Sequence, residues 1–246
     1  MSARIRLDQA LVERGLVPTR ARARDLILRG EVRIGSRVAA KAGELVSTAD
    51  TLTVPAQAAS RVSRAANKLA AGLQAFGFSA EGRLAIDVGA STGGFTQTLL
   101  EGGAERVYAV DVGHGQLHPD LRSDSRVVDL EGIDARALDG SLIPSPVTAI
   151  VSDVSFISLT QALPAALKLA GPGCWLVALV KPQFELGREQ IGKGGIVRDA
   201  SARSSAVAKI VAFLEAEGWR IAGTCASPLP GKDGNVEFLV GAVRDA

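Results

Sequence analysis

The chain reads as an α/β protein: a doubly wound, mostly parallel sheet with a small α+β module in front. Three observations predict this. From about residue 63 onward, short apolar runs alternate with helical patterns, as in parallel strands joined by crossover helices. Apolar residues make up 47% of the 246 residues but aromatics only 4%, so the core is built from Ala, Val, Leu and Ile, which suits a sheet covered on both faces. Charge also divides the chain. Residues 1–60 hold 10 Lys/Arg against 6 Asp/Glu, a net of +4, while residues 61–246 hold 18 against 20, a net of −2. The asymmetry points to a separate basic module that meets a polyanion, and on charge alone a well-solvated small domain fits equally well.

The module spans residues 1–54. In "RLDQALVERGL", Leu7, Ala10, Leu11 and Arg14 recur at helical spacing, and Gly15 stops the helix. Thr19 is placed to cap a second helix, "RARARDLILRG", ending at Gly30. "EVRIGSRVA" alternates Val32, Ile34 and Val38 around a Gly-Ser turn, as a hairpin does, and "DTLTVP" is one more short strand. Arg20 and Arg24 share a helix face, with Arg22 and Arg29 nearby and Arg33 and Arg37 on the hairpin. Guanidinium forks of this kind grip phosphate bidentately.

Residues 55–62 form a linker of Pro, Ala and Ser, and residues 63–246 the large domain. Its elements run as helix "AANKLAAGLQAFG", strand "RLAIDVGA", helix "FTQTLLEGG" and strand "RVYAVDVG". Strands "VTAIVSDVS", "CWLVALVKPQ" and "NVEFLVGAV" follow, with the long helix "DASARSSAVAKIVAFLEAEG" between the last two. No apolar run is long enough to span a membrane, and "MSARIRLDQALVERG" lacks a secretory signal core, so a soluble cytoplasmic protein is expected. Cys174 and Cys225 read as free thiols, and no metal site is expected.

The first strand of the large domain delivers its end to Gly89, Gly93 and Gly94, where glycine lets backbone approach a ligand. The spacing is not that of a dinucleotide fingerprint, and no phosphate-binding NTPase loop is present. What remains is D-x-G-x-S-x-G-G-F, from Asp87 to Phe95. The next strand ends at Asp111, where a carboxylate can accept from both hydroxyls of a ribose. Asp87 lies near the expected place of an ammonium or bridging water, and His114 belongs at the cofactor rim or surface rather than to catalysis.

The pattern resembles the first motif of S-adenosylmethionine-dependent methyltransferases on a Rossmann-like sheet. That likeness implies a cofactor site of Asp87, Gly89, Ser91, Thr92, Gly93, Gly94, Phe95, Asp111 and Val112. Residues 4–54 likewise resemble the small S4-like RNA-binding domain. RNA helices are read mainly through shape and backbone, which fits a module rich in Arg and without aromatics.

Four ionisable residues interrupt buried patterns: Lys68 on the first helix, Asp153 and Lys181 at strand ends, and Glu237 within "NVEFLV". Singly, each has a structural reading: a snorkelling lysine, a turn cap, a polar strand end, a solvent-facing edge. Together they suit methyl transfer to a hydroxyl, in which a lysine amine takes the proton while carboxylates hold and tune the amines. Buried charges persist mainly when paired.

With the stretches "SRAANKLAAGL", "VSDVSFISL", "LVALVKPQFELGREQIGKGGIVRD" and "GNVEFLV", nearly the whole chain resembles the TlyA family. Its members join an S4-like domain to an FtsJ-like methyltransferase domain, act as 2′-O-methyltransferases on cytidines of ribosomal RNA, and in some cases carry the label haemolysin. The resemblance implies Lys68, Asp153, Lys181 and Glu237 as the catalytic set and adds Asp134 to the cofactor site. It departs at Ala65, where Gly is usual, at Asp134, where Asn is expected, and at His114, where Tyr is common. The RNA-facing candidates are Arg4, Arg6, Arg20, Arg22, Arg24, Arg29 and Arg33 in the module, Arg64 after the linker, and Arg188 and Lys193 on a Gly-rich loop expected to be mobile. An acceptor ribose inside structured RNA has to be exposed, so base flipping is expected. Two alternatives stand beside this reading: an RNA-binding assembly factor that keeps S-adenosylmethionine only as a ligand, and a membrane-lytic protein, against which the lack of a span or basic amphipathic helix speaks.

Overall fold

A computed structural model describes residues 4–17, 19–28, 30–55, 62–231 and 234–245. The chain divides into two compact units, Met1–Arg61 and Val62–Ala246.

In the first unit β1 (Arg4–Arg6) leads directly into α1 (Leu7–Glu13), and α2 (Arg20–Leu28) follows. The Thr19 hydroxyl accepts the backbone N–H of Arg22 at 3.1 Å, the capping bond expected of that residue type. β2 (Arg33–Ile34) pairs with β3 (Arg37–Val38) across a turn at Gly35, whose φ is +60°, and on its other side with β5 (Leu52–Thr53). Leu7, Leu11, Leu26, Ile27, Val32 and Val46 form the core. Two details differ from expectation. A second ladder joins β1 to β4 (Leu45–Ser47), which are too short to show any alternation. Val38 is 47% exposed, on β3 at the edge of the three-stranded sheet.

The second unit carries a seven-stranded sheet. Along the chain come α3 (Ala65–Phe76), β6 (Leu84–Val88), α4 (Gly94–Glu101), β7 (Arg106–Asp111), α5 (Pro119–Arg122) and β8 (Val127–Glu131). β9 (Val147–Ser152), α6 (Leu159–Ala162), α7 (Pro164–Lys168), β10 (Ala170–Val180) and α8 (Pro182–Glu185) follow. Last are α9 (Ala200–Ala216), β11 (Arg220–Ala226) and β12 (Phe238–Val243). The strand order is β11-β12-β10-β9-β6-β7-β8, with β12 antiparallel to both neighbours and the rest parallel. β8 and β11 escape sequence reading for physical reasons. Asp129 and Glu131 interrupt β8, and β11 is a half-exposed edge strand containing Gly223.

The chain runs outward from β6 to β7 and β8, then returns to β9 on the other side of β6. That reversal opens a crevice at the strand ends, the usual ligand site of such sheets. Side chains alternate between two cores. Ile86, Ile150, Leu176 and Val240 face α9, while Ala85, Val151, Leu179 and Leu239 face α3 and α4.

Gly93 ends the glycine turn at φ +92°, and a Cβ there would lie 2.3 Å from Leu121 Cδ1 and 2.8 Å from Leu117 Cδ1. Gly93→Ala is therefore expected to cost about 1–3 kcal/mol, from left-handed strain and overpacking together. A lowered melting temperature checks this, and an unchanged one contradicts it.

Candidate active site

The α3-facing set of side chains continues past the strand ends. On β9 it runs Ala149, Val151 and then Asp153; on β10, Val177, Leu179 and then Lys181; on β12, Leu239 and, one step earlier, Glu237. β12 and β10 pair Phe238 with Val180, so antiparallel register sets Glu237 across from Lys181. All three residues thus meet at one edge of adjacent strands, on the side where α3 carries Lys68.

The side chains form two ion pairs. Lys68 Nζ donates to Glu237 Oε2 at 2.5 Å, and both are buried, at 8% and 3% exposure. Lys181 Nζ lies 2.7 Å from Asp153 Oδ1 and donates to Ser155 Oγ at 2.8 Å. Gly89 adjoins this edge: the Asp153 N–H donates to Val88 O at 3.0 Å, and a Cβ on Gly89 would lie 3.1 Å from the Asp153 carbonyl carbon. Asp153 therefore lies against the glycine turn, with Lys181 on the next strand and the Lys68–Glu237 pair one strand beyond it.

The turn is held from below and from the side. Asp87 has no exposed surface; its Oδ2 accepts from Thr96 N–H at 2.8 Å and Thr96 Oγ1 at 2.7 Å, while its Oδ1 meets no donor among the described residues. Asp111 takes the Ser91 N–H on Oδ2 at 2.9 Å and the Gly113 N–H on Oδ1 at 2.8 Å. Ser91 sits at φ +46°, which aims its N–H at that carboxylate. Ser91, Thr92, Asp111 and Val112 lie on the rim, with Val112 66% exposed. Gly93, Gly94 and Phe95 are buried. The space that a Cβ on Gly93 or Gly94 would fill is taken by Leu121 or by Ser63, so helix packing requires these two glycines, whatever ligand lies above. Asp134 caps a short 3-10 turn and pairs with Arg136 at 2.6 Å, whose guanidinium brings its carboxyl down to about 2.

Sequence reasoning missed several residues. Glu131, across from Asp111 in the β7–β8 register, accepts the N–H groups of Gly115, Gln116 and Leu117 and pairs with Arg122. It fixes the loop beyond Asp111, and its place at a strand end was the only signal. Phe156 sits at φ +66°, is 91% exposed, and has its ring 5.1 Å from Phe184. Buried Asn235 donates to Gly195 O and accepts the Val197 N–H, both at 2.9 Å. The Gly-rich loop, expected to be mobile, therefore has an anchor, and it contains two 3-10 turns, Arg188–Gln190 and Lys193–Gly195.

Among the basic candidates, Arg4, Arg33, Arg188 and Lys193 are exposed, and Arg64 is half-buried. Arg6, Arg20 and Arg24 bond Asp8. Arg22 is a correction. It is only 8% exposed and does not present a fork to solvent, because two residues along a helix turn a side chain by about 200°, away from the face of Arg20 and Arg24. Arg29 lies outside the described residues. No group of three His, Cys, Asp or Glu side chains suited to a metal forms among the described residues, and none of their helices is long and apolar enough to cross a membrane.

Burial pushes the Asp87 carboxyl up to about 7 from 3.8; the Thr96 donors pull it back, and the charge of Asp153 adds to the rise. Between those values the folded chain holds a proton that the unfolded chain has released. The stability this proton lends is full below about pH 4 and is lost as the pH climbs through about 7. Asp87→Asn is expected to flatten that decline. Urea midpoints at about pH 5 and about pH 8 check it, and an undiminished difference between them contradicts it.

A doubly wound sheet with an acidic second-strand end, a glycine turn at the reversal point and paired lysines beside it defines a class. The FtsJ-like methyltransferase family matches residues 61–244 and the S4 domain residues 5–52, and the chain belongs to the FtsJ-like methyltransferases. It is 46% identical over 241 residues, 98% of this chain and 90% of the relative, to the 16S/23S rRNA (cytidine-2′-O)-methyltransferase TlyA of Mycobacterium tuberculosis. Hemolysin A of Brachyspira hyodysenteriae is 40% identical over 237 residues, 96% of this chain and 98% of the relative. A solved structure from Streptococcus thermophilus bearing a hemolysin name superposes with a TM-score of 0.77 at 38% identity, covering 100% of this chain and 90% of that one.

The cofactor of such an enzyme is S-adenosylmethionine, and the residues present fit it. Each Asp111 oxygen takes one backbone donor and keeps a lone pair for a ribose hydroxyl, Val112 is exposed next to it in the chain, and Asp87 Oδ1 is a buried acceptor with no donor among the described residues.

Proposed function

We propose that the chain transfers a methyl group from S-adenosylmethionine to the 2′-hydroxyl of a ribose, that of a cytidine, in ribosomal RNA, in the cytoplasm. The observation that carries this reading is Lys181, held between Asp153 and the start of β12 at the edge that also holds the glycine turn. The relatives' printed activities point the same way.

S-adenosylmethionine supplies a methyl on a positively charged sulfur, already activated for displacement. The chain's own task is to align a weakly acidic hydroxyl and remove its proton. Asp111 would hold the ribose of the cofactor, with Gly89, Ser91 and Thr92 along its approach. As the neutral amine, Lys181 Nζ would take the 2′-hydroxyl proton while the oxygen bonds to the methyl carbon and the methyl–sulfur bond breaks, leaving S-adenosylhomocysteine. Asp153 then faces the ammonium so formed, and Ser155 keeps the amine aimed. Lys68 and Glu237 fix the far side of the site as a buried pair. Phe156, exposed beside Asp153, offers a flat face to a base turned out of its stack, a contact worth about 1–3 kcal/mol.

The S4 unit, residues 1–54, supplies the RNA-binding surface through Arg4, Arg6, Arg20, Arg24 and Arg33, and residues 55–62 link it to the methyltransferase domain of residues 63–246. Arg64, Arg188 and Lys193 add phosphate contacts near the site. The test is transfer of a labelled methyl to deproteinised ribosomal RNA. Label that resists alkaline cleavage at one phosphodiester supports the reading. RNA binding with no transfer would instead make the chain an assembly factor, and leakage of liposomes would revive a lytic role.

A further inference from the structure

In the first unit three guanidinium groups meet on one carboxylate. Asp8, in the first turn of α1, has no exposed surface. Its Oδ1 accepts Arg6 Nε at 3.0 Å, and its Oδ2 accepts Arg24 Nε at 3.0 Å, Arg20 Nη2 at 3.1 Å and Arg6 Nη2 at 3.4 Å. Burial works against ionising Asp8, yet the hydrogen bonds from Arg6, Arg24 and Arg20 hold its carboxyl well below the usual range. The arginines come from two elements, β1 and α2, and their side chains stay 46%, 50% and 53% exposed. A Cβ on Gly43 would lie 3.0 Å from Arg6 Nη1, so the chain is closely fitted on that side too.

Three like charges gathered around one atom repel, and the single carboxylate offsets only one of them. A guanidinium carries about five N–H donors, so the bonds to Asp8 engage a minority of each fork. The outward donors are left pre-aimed from fixed points, which removes part of the ordering cost of binding an anion.

We propose that Asp8 is a positioning residue for RNA binding, gathering Arg6, Arg20 and Arg24 into one clamp for backbone phosphates. This rests on the proposed RNA-binding role of the unit. The sign of its test is unusual. Asp8→Asn removes one negative charge and so raises the net charge by one, and charge alone therefore predicts tighter binding to a polyanion. The clamp predicts binding roughly tenfold weaker at about 0.15 M salt, with the slope of log affinity on log salt shallower by about one or two.

The probe is deproteinised ribosomal RNA, titrated over a range of salt with the full chain. Glu13→Gln makes the same charge change at an exposed site of the same unit and is expected to bind as well as the parent or slightly better. If the parent chain shows no salt-dependent RNA binding, the RNA reading fails and the clamp with it. If the parent binds and Asp8→Asn binds equally or more tightly, the clamp alone is overturned. Should Asp8→Asn fail to fold by circular dichroism, Arg24→Lys carries the test, because it keeps the charge and the partner but loses the fork. Several-fold weaker binding then supports the clamp, and unchanged binding overturns it.

Discussion

Lys181→Met is expected to lower methyl transfer by about 10²–10⁴-fold, the usual worth of a positioned general base. The loss falls on kcat, since the side chain acts on the acceptor hydroxyl and not on the cofactor's ribose or adenine. Affinity for S-adenosylmethionine is expected to stay within a few-fold, because Asp111 and the glycine turn lie on β6 and β7, away from β10. Methionine is close to the lysine stem in volume, so the substitution opens little cavity at this buried position. Single-turnover transfer together with calorimetric cofactor binding checks this. A variant that loses cofactor binding along with turnover contradicts the assignment, and so does one that keeps its rate.

Lys68→Met is expected to cost about 3–5 kcal/mol of stability as well as activity, because it leaves Glu237 charged and unpaired in a site only 3% exposed. Adding Glu237→Gln to Lys68→Met is expected to restore much of the stability, since the stranded charge is removed. Activity is not expected to return, because the pair also shapes the site across from Lys181. Melting temperatures and transfer rates of the two single variants and the double separate the roles. Equal recovery of both properties in the double variant would make the pair purely structural.

How much of this was legible in the sequence depended on burial. β6, β7, β9, β10 and β12 are apolar runs bounded by turns because helices cover both faces of each. For the same reason a lone charge at the end of such a run, as at Asp153, Lys181 and Glu237, stands out. Where one face is wet, as in β11, the signal fades into small and polar residues. Partners distant in sequence left no trace. Nothing in "RLDQAL" says that Asp8 will gather arginines from 12 and 16 residues further on. Nor does "GNVEF" reveal that Asn235 reaches back 40 residues to Gly195. "RARAR" is a basic run, but helical periodicity turns its middle arginine, Arg22, away from the face of Arg20 and Arg24. Phe156 was passed over because a single Phe after an apolar strand looks like core, while the positive φ that turns it outward is visible only in the fold.

The measurement that bears most directly on the account is mass spectrometry of nucleosides from ribosomal RNA incubated with S-adenosylmethionine and either the parent chain or Lys181→Met. The parent is expected to yield 2′-O-methylcytidine, and the variant at least about a hundredfold less over the same early interval. A methyl group found on a base, or equal yields from the two proteins, would contradict the account.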